Sequence, residues 1–153
     1  MSFVRIWVHA VWATKKREPY LAKKSVRYAL FKHIRENAKK KEIHLDNLNG
    51  RVDHCHATFS LSKDLSIKKT MQLIKGESSS WVNKSKLLPY HFNWAVGYYA
   101  VSVSEDKMQG VKNYVMNQEE HHSRVSFEEE CQQFIKRYGF TSMLGDENFN
   151  TQE

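Results

Sequence analysis

The stretch His54-Cys55-His56-Ala57-Thr58-Phe59-Ser60-Leu61 alternates polar with apolar or small side chains along its whole length. In a β-strand successive side chains point to opposite faces. His54, His56, Thr58 and Ser60 therefore share one face, and Cys55, Ala57, Phe59 and Leu61 share the other. The apolar set predicts a face laid on a core. Two imidazoles side by side on the polar face can offer two nitrogens to one divalent metal. Cys55 points away from them, so the triplet is not a three-ligand zinc site.

Working outward, Asn49-Gly50 is a hairpin signal that links this strand back to a second candidate over Ile43–Leu48. Phe3–Ala13 alternates as a longer strand, with Val4, Ile6, Val8, Ala10 and Trp12 on one face and Arg5, Trp7 and His9 on the other. Val96–Val103, rich in aromatic and β-branched residues, is a fourth strand. Helical spacing of Val26, Leu30, Phe31 and Ile34 predicts a helix from about Ala22 to Lys41, ending in the basic run Lys39-Lys40-Lys41. A second helix is expected from Ser66, a plausible N-cap, to Val82, with Gly76 and Ser78-Ser79-Ser80 weakening it locally. A third runs from Asp106 to about Gln118 or beyond. A fourth runs from Ser126 to Tyr138, opening on the capping-box spacing Ser126/Glu129 and stopped by Gly139.

The order β-α-β-β-α-β followed by two helices predicts a ferredoxin-like α+β fold. One antiparallel sheet carries two helices on one face and leaves the other face partly open, with the histidine pair on that polar side. At 153 residues the chain is expected to form one domain over residues 1–144, with a disordered tail over 145–153. No apolar run reaches membrane-spanning length, and Met1-Ser2-Phe3-Val4-Arg5 lacks the layout of a signal peptide, so a cytoplasmic location is expected. Cys55 and Cys131 are the only cysteines and form no CxxC pair, which predicts reduced thiols rather than a disulfide or redox centre.

Charge narrows the partners. The net charge is +7 with a pI near 9.4, and the last nine residues hold three of the seventeen acidic residues and no basic one, so the rest of the chain carries +10. That excess suits a polyanion, nucleic acid first, although a merely soluble basic protein carries the same charge. Lys15, Lys16 and Arg17 follow the first strand and are candidates for backbone phosphates; a basic loop is also common without a ligand. Trp7, Tyr98 and Tyr99 are candidates for stacking on unpaired bases, against the commoner reading of strand aromatics as core.

On the third helix Tyr114 and Gln118 lie four residues apart and share a face, which His121 continues if the helix does. Here the residues carry a resemblance. His54-Cys55-His56, preceded by Asp53, resembles the HUH motif of two histidines flanking a hydrophobic residue. The block Tyr114-Val115-Met116-Asn117-Gln118-Glu119-Glu120-His121-His122 resembles the Tyr-Ile-x-Asn-Gln-x-x-His-His signature of single-tyrosine transposases of the smallest bacterial insertion sequences. His9–Thr14, Lys75–Ser80, Trp94–Val103 and Ser126–Glu130 match as well, so the likeness spans about residues 3 to 140. Cys55 departs from the usual aliphatic middle residue; it is small and apolar enough for a core face.

The resemblance implies a transposase that cleaves and rejoins single-stranded DNA carrying hairpins at the element ends. It implies His54, His56 and Gln118 as ligands of Mg2+ or Mn2+, and Tyr114 as the nucleophile. A tyrosine hydroxyl with pKa near ~10 is a poor nucleophile at neutral pH and needs such help. A 5′-phosphotyrosine conserves the energy of the broken bond, so no nucleotide cofactor is implied, in keeping with the lack of a GxxxxGK[ST] loop. His121 and His122 are candidates for metal ligands or for DNA phosphate contacts, against the reading of an exposed polar helix end. A homodimer is implied, with the tyrosine helix in cis or in trans. The rival reading is a host-adopted or inactive hairpin-DNA-binding module on the same fold. A relaxase or replication initiator shares the chemistry but carries further domains.

Overall fold

A computed structural model describes residues 1–118, 126, 128–130 and 132–133. Four strands, β1 (Trp7–Ala13), β2 (His44–Gly50), β3 (His54–Ser60) and β4 (Tyr99–Val103), form one antiparallel sheet in the order β2-β3-β1-β4. The helices are α1 (Lys24–Lys40) after β1, α2 (Ile67–Ser85) after β3 and α3 (Met108–Met116) after β4. This is the expected ferredoxin-like α+β arrangement, and residues 128–130 and 132–133 belong to the helix anticipated after Ser126.

Register decides which side chains share a face. His54 pairs with Ala13, His56 with Val11 and Thr58 with His9 across β3 and β1. Directly opposed residues point the same way, so His9, Val11, Ala13, His54, His56 and Thr58 make one face. Val8, Ala10, Trp12, Cys55, Ala57 and Phe59 make the other. That second face meets Leu30, Phe31, Ile34 and Ala38 of α1 and Met71, Ile74 and Val82 of α2 in one hydrophobic core. Trp12 and Phe59 are fully buried, each contributing roughly 1.5–3 kcal/mol by transfer alone. Ser66 caps α2 by accepting from the Lys69 amide at 3.0 Å. His33 of α1 bonds Glu77 of α2 at 2.8 Å and stacks on Trp81, tying the two helices together.

Several boundaries differ from expectation for local reasons. β1 begins at Trp7 rather than Phe3, because its partners Ser60 and Val103 end there; Phe3, Val4 and Ile6 lie exposed. Asn49-Gly50 is not the hairpin turn. Both residues remain in β2, paired with His56 and Cys55, and the chain reverses over Arg51, Val52 and Asp53. Gly50 serves close approach instead, since a Cβ there would overlap the His54 carbonyl. β4 starts at Tyr99 rather than Val96. The Ala95 amide still bonds the Ala13 carbonyl, and the carbonyls of Ala95, Val96 and Gly97 turn to the Lys75 ammonium at 2.8–3.1 Å. α2 runs through Gly76 and the serine run unbroken, with Ser78 and Ser79 bonding back to the carbonyls three residues earlier.

The second sheet face is covered around the histidines and stays partly open toward Trp7, His44 and Val103. α3 lies against β2 and β3, burying Met108 and Val115, while Asn49 Nδ2 donates to the Met116 carbonyl and Lys112 pairs with Asp46. α3 needed somewhere to bury its apolar stripe, and the histidine face is where it does so.

Candidate active site

β3 sets the centre. His54 and His56 are 1% and 0% exposed, so each ring must find polar partners inside the protein. The partners divide in the same way for both. On the outer side, His54 Nδ1 lies 2.8 Å from Asp53 Oδ1, and His56 Nδ1 lies 3.0 Å from His9 Nε2. On the inner side, His54 Nε2 lies 3.3 Å from Gln118 Oε1, and His56 Nε2 lies 2.5 Å from Glu130 Oε1. Gln118 donates its amide N–H to the Tyr114 carbonyl, which turns its oxygen toward His54.

Both inner nitrogens therefore face oxygen acceptors. Among the described residues, His54, His56 and Glu130 form a cluster whose ligand atoms lie within 4.8 Å of one another, all buried. Imidazole nitrogens, a carboxylate and an amide oxygen are donors that suit a divalent cation such as Mn2+ or Mg2+. Asp53 behind His54 repeats the arrangement in which a carboxylate orients a metal-binding imidazole. The residues present fit a metal.

Tyr114 packs beside His56 and His9, half-buried. Its ring centroid is 5.4 Å from that of His56 and 6.2 Å from that of His9, edge-on to both. The α3 backbone leaves helical geometry at Asn117, yet the four-residue spacing still carries Tyr114 and Gln118 to the same place. The site is thus assembled from β3, α3 and residue 130 of one chain.

Burial tunes the surrounding groups. Desolvation, followed by the charge of His56, lowers the His9 pKa to about 3, so its imidazole is neutral. Cys55, on the core face, has its thiol pKa pushed up by burial and then by Asp53, which leaves it inert as the alternation required.

The remaining candidates fall elsewhere. Lys15, Lys16 and Arg17 form a short 3-10 turn next to the His54 end of β3, where the Thr14 amide bonds the Asp53 carbonyl at 2.8 Å. Lys16 and Arg17 adopt φ of 55° and 54°, a left-handed conformation unusual for such side chains. Trp7 sits at the other end of β1, and its indole N–H donates to Glu105 at 2.6 Å. Tyr98 lies under the Lys75 ammonium, and Tyr99 is buried. His121, His122 and the tail over 145–153 lie outside the described residues.

Two residues of the site had no assigned role in the sequence. Glu130 belongs to the matched stretch Ser126–Glu130, where it reads as one of three acidic residues in a helix's first turn. His9 lies on the mixed face of β1, and only the β1–β3 register brings it against His56.

The comparisons with known proteins agree with this architecture. Residues 2–118 match the family model described as "Transposase IS200 like". A crystallised transposase candidate from Deinococcus radiodurans R1 superposes with a TM-score of 0.60 at 22% identity, covering 76% of this chain and 93% of that one. A REP-associated tyrosine transposase, solved bound to a REP hairpin, superposes with a TM-score of 0.58 at 14% identity, covering 82% of this chain and 73% of its own. At those identities the two structures speak for the fold. No curated protein matches. The family model, spanning most of the chain from β1 through Gln118, shows that this protein belongs to the IS200-like transposase family.

Proposed function

We propose that this protein cleaves and rejoins single-stranded DNA through a 5′-phosphotyrosine on Tyr114, at a metal centre formed by His54, His56, Gln118 and Glu130. The observation that carries the reading is that Tyr114 packs on His56, whose Nε2 and that of His54 meet two oxygen donors in a buried cluster. Mg2+ or Mn2+ bound there would neutralise charge on the scissile phosphate and polarise its phosphorus.

The chain's own residues account for the rest. The Tyr114 hydroxyl attacks phosphorus and loses its proton, and the bond to the 3′-oxygen breaks, leaving a free 3′-hydroxyl. Another 3′-hydroxyl reverses the step at a new junction, since one phosphodiester-like ester replaces another. α3 holds Tyr114 against the sheet face, so attack starts from a fixed direction. The basic turn Lys15–Arg17 lies beside the His54 end of the site, where it would take the sugar-phosphate backbone. The hairpin recorded with the REP-associated neighbour supports a folded single strand as substrate. A homodimer is part of the proposal, although Tyr114 already packs on His56 of its own chain. The proposed domain is residues 1–144, acting in the cytoplasm; no helix among the described residues is long and apolar enough to cross a membrane.

The test uses single-stranded ends of the protein's own element. Wild type with Mn2+ is expected to form a covalent protein–DNA adduct on a denaturing gel, lost with EDTA and lost in Tyr114→Phe. No adduct from wild type would favour the hairpin-binding module instead. An adduct that persists in Tyr114→Phe would remove Tyr114 as nucleophile. Sedimentation of wild type decides between monomer and dimer.

A further inference from the structure

We propose that His9 is a positioning residue, which fixes the ring and the tautomer of His56 so that Nε2 of His56 faces the metal. The inference rests on the metal reading above and adds a residue to it.

The argument begins with a symmetry between the two histidines. Each turns Nε2 inward, toward Gln118 or Glu130, and Nδ1 outward. An imidazole that ligates a cation through Nε2 must carry its hydrogen on Nδ1 and donate it to an acceptor. For His54 that acceptor is the Asp53 carboxylate at 2.8 Å. For His56 the partner found at the equivalent position, among the described residues, is a second imidazole. His9 Nε2 lies 3.0 Å from His56 Nδ1.

The backbone makes this contact a designed one. His9 lies opposite Thr58 and His56 opposite Val11, one rung away on the same sheet face, so the two rings meet diagonally across the β1–β3 ladder. Their centroids are 5.2 Å apart with the planes 26° from parallel, a stack that restricts rotation of both. His9 is 3% exposed, which leaves little room for water to replace it as acceptor. With metal bound, His56 donates Nδ1–H to His9 Nε2, and His9 keeps its own hydrogen on Nδ1.

Two substitutions separate this role from simple packing. His9→Phe keeps a planar ring on His56 and removes the acceptor. His9→Gln removes the ring and places an acceptor oxygen near the former Nε2. Mn2+ titration of the purified full chain, read by the electron paramagnetic resonance of free Mn2+, is expected to show about 10- to 100-fold weaker binding in His9→Phe. His9→Gln is expected to remain within about threefold of wild type, on the same principle that an acceptor behind the ligand sets its affinity. In Mg2+-saturated wild type, ring-nitrogen NMR should find His56 protonated at Nδ1 and His9 unprotonated at Nε2. Equal binding by His9→Phe and wild type overturns the inference, as does a loss in His9→Gln as large as in His9→Phe. A bare Nδ1 on His56 in the loaded wild type overturns it too, and that measurement needs no variant if His9→Phe fails to fold. Wild type that binds neither Mn2+ nor Mg2+ would defeat the metal reading itself, a result distinct from any of these.

Discussion

The two faces of β3 are made by alternate residues of one seven-residue strand, and they are built on different physics. Cys55, Ala57 and Phe59 face α1 and α2 in a core without polar demands, where stability follows apolar area and packing. His54, His56 and Thr58 are as deeply buried, yet their side chains carry polar atoms that have to be matched. For the two histidines matching comes from Asp53, His9, Gln118 and Glu130, drawn from distant parts of the chain. The core face can tolerate exchange of one hydrophobe for another of like volume. The site face is more constrained, because its imidazole nitrogens are set against particular polar partners.

The widest separation of the two faces should come from Tyr114→Phe. Adduct formation is expected to fall at least ~10³-fold, as on loss of a nucleophile, while urea unfolding shifts by no more than about 1 kcal/mol. Phe59→Ala is the converse. Its buried ring should cost roughly 3–5 kcal/mol in the same unfolding experiment, and the folded fraction should still bind Mn2+ with wild-type affinity. Weakened metal affinity in that variant would mean that the faces are mechanically coupled.

A ligand offers an intermediate effect. Mn2+ at about 100 times its dissociation constant should stabilise wild type by roughly 2.7 kcal/mol and leave His56→Ala unchanged in thermal unfolding. Equal stabilisation of both proteins would place the ion elsewhere.

Lys75 joins α2 on the core side to the segment that leads into β4, and burial lowers its pKa from 10.5 to about 8. Between those values the unfolded chain binds more protons than the folded one, so wild-type stability should rise as pH goes from about 8 to 10.5. The expected gain is roughly 1–2 kcal/mol by denaturant titration, and Lys75→Met should lack it. A wild-type profile flat across that window would show that the three carbonyls keep the ammonium charged. Smallest is Ser66→Ala at the start of α2, where losing the cap should cost about 1 kcal/mol and leave adduct formation alone.

Much of this was legible in the linear chain because it depends on neighbours in sequence. Alternation along β3 assigned Cys55 to the core and the histidines to the opposite face, and the structure agrees. The four-residue spacing of Tyr114 and Gln118 put both on one side of a helix. The succession of strands and helices was enough for the topology. Asn49-Gly50 misled for a physical reason: asparagine-glycine is a turn signal only when nothing else needs the glycine, and here the His54 carbonyl does.

What the sequence by itself determined, then, is the order of elements and the two faces of each strand, which follow from backbone periodicity and residue chemistry, properties of short segments. The pairing of an HUH triplet with a later tyrosine came from the resemblance to a known family. Only the tertiary structure decided that α3 covers the histidine pair, that Glu130 reaches His56, and that His9 stands behind it. Contacts across 47 residues, or from 56 to 130, depend on strand register and helix docking. Register is set by the fit of whole faces, and no local pattern in the chain records it.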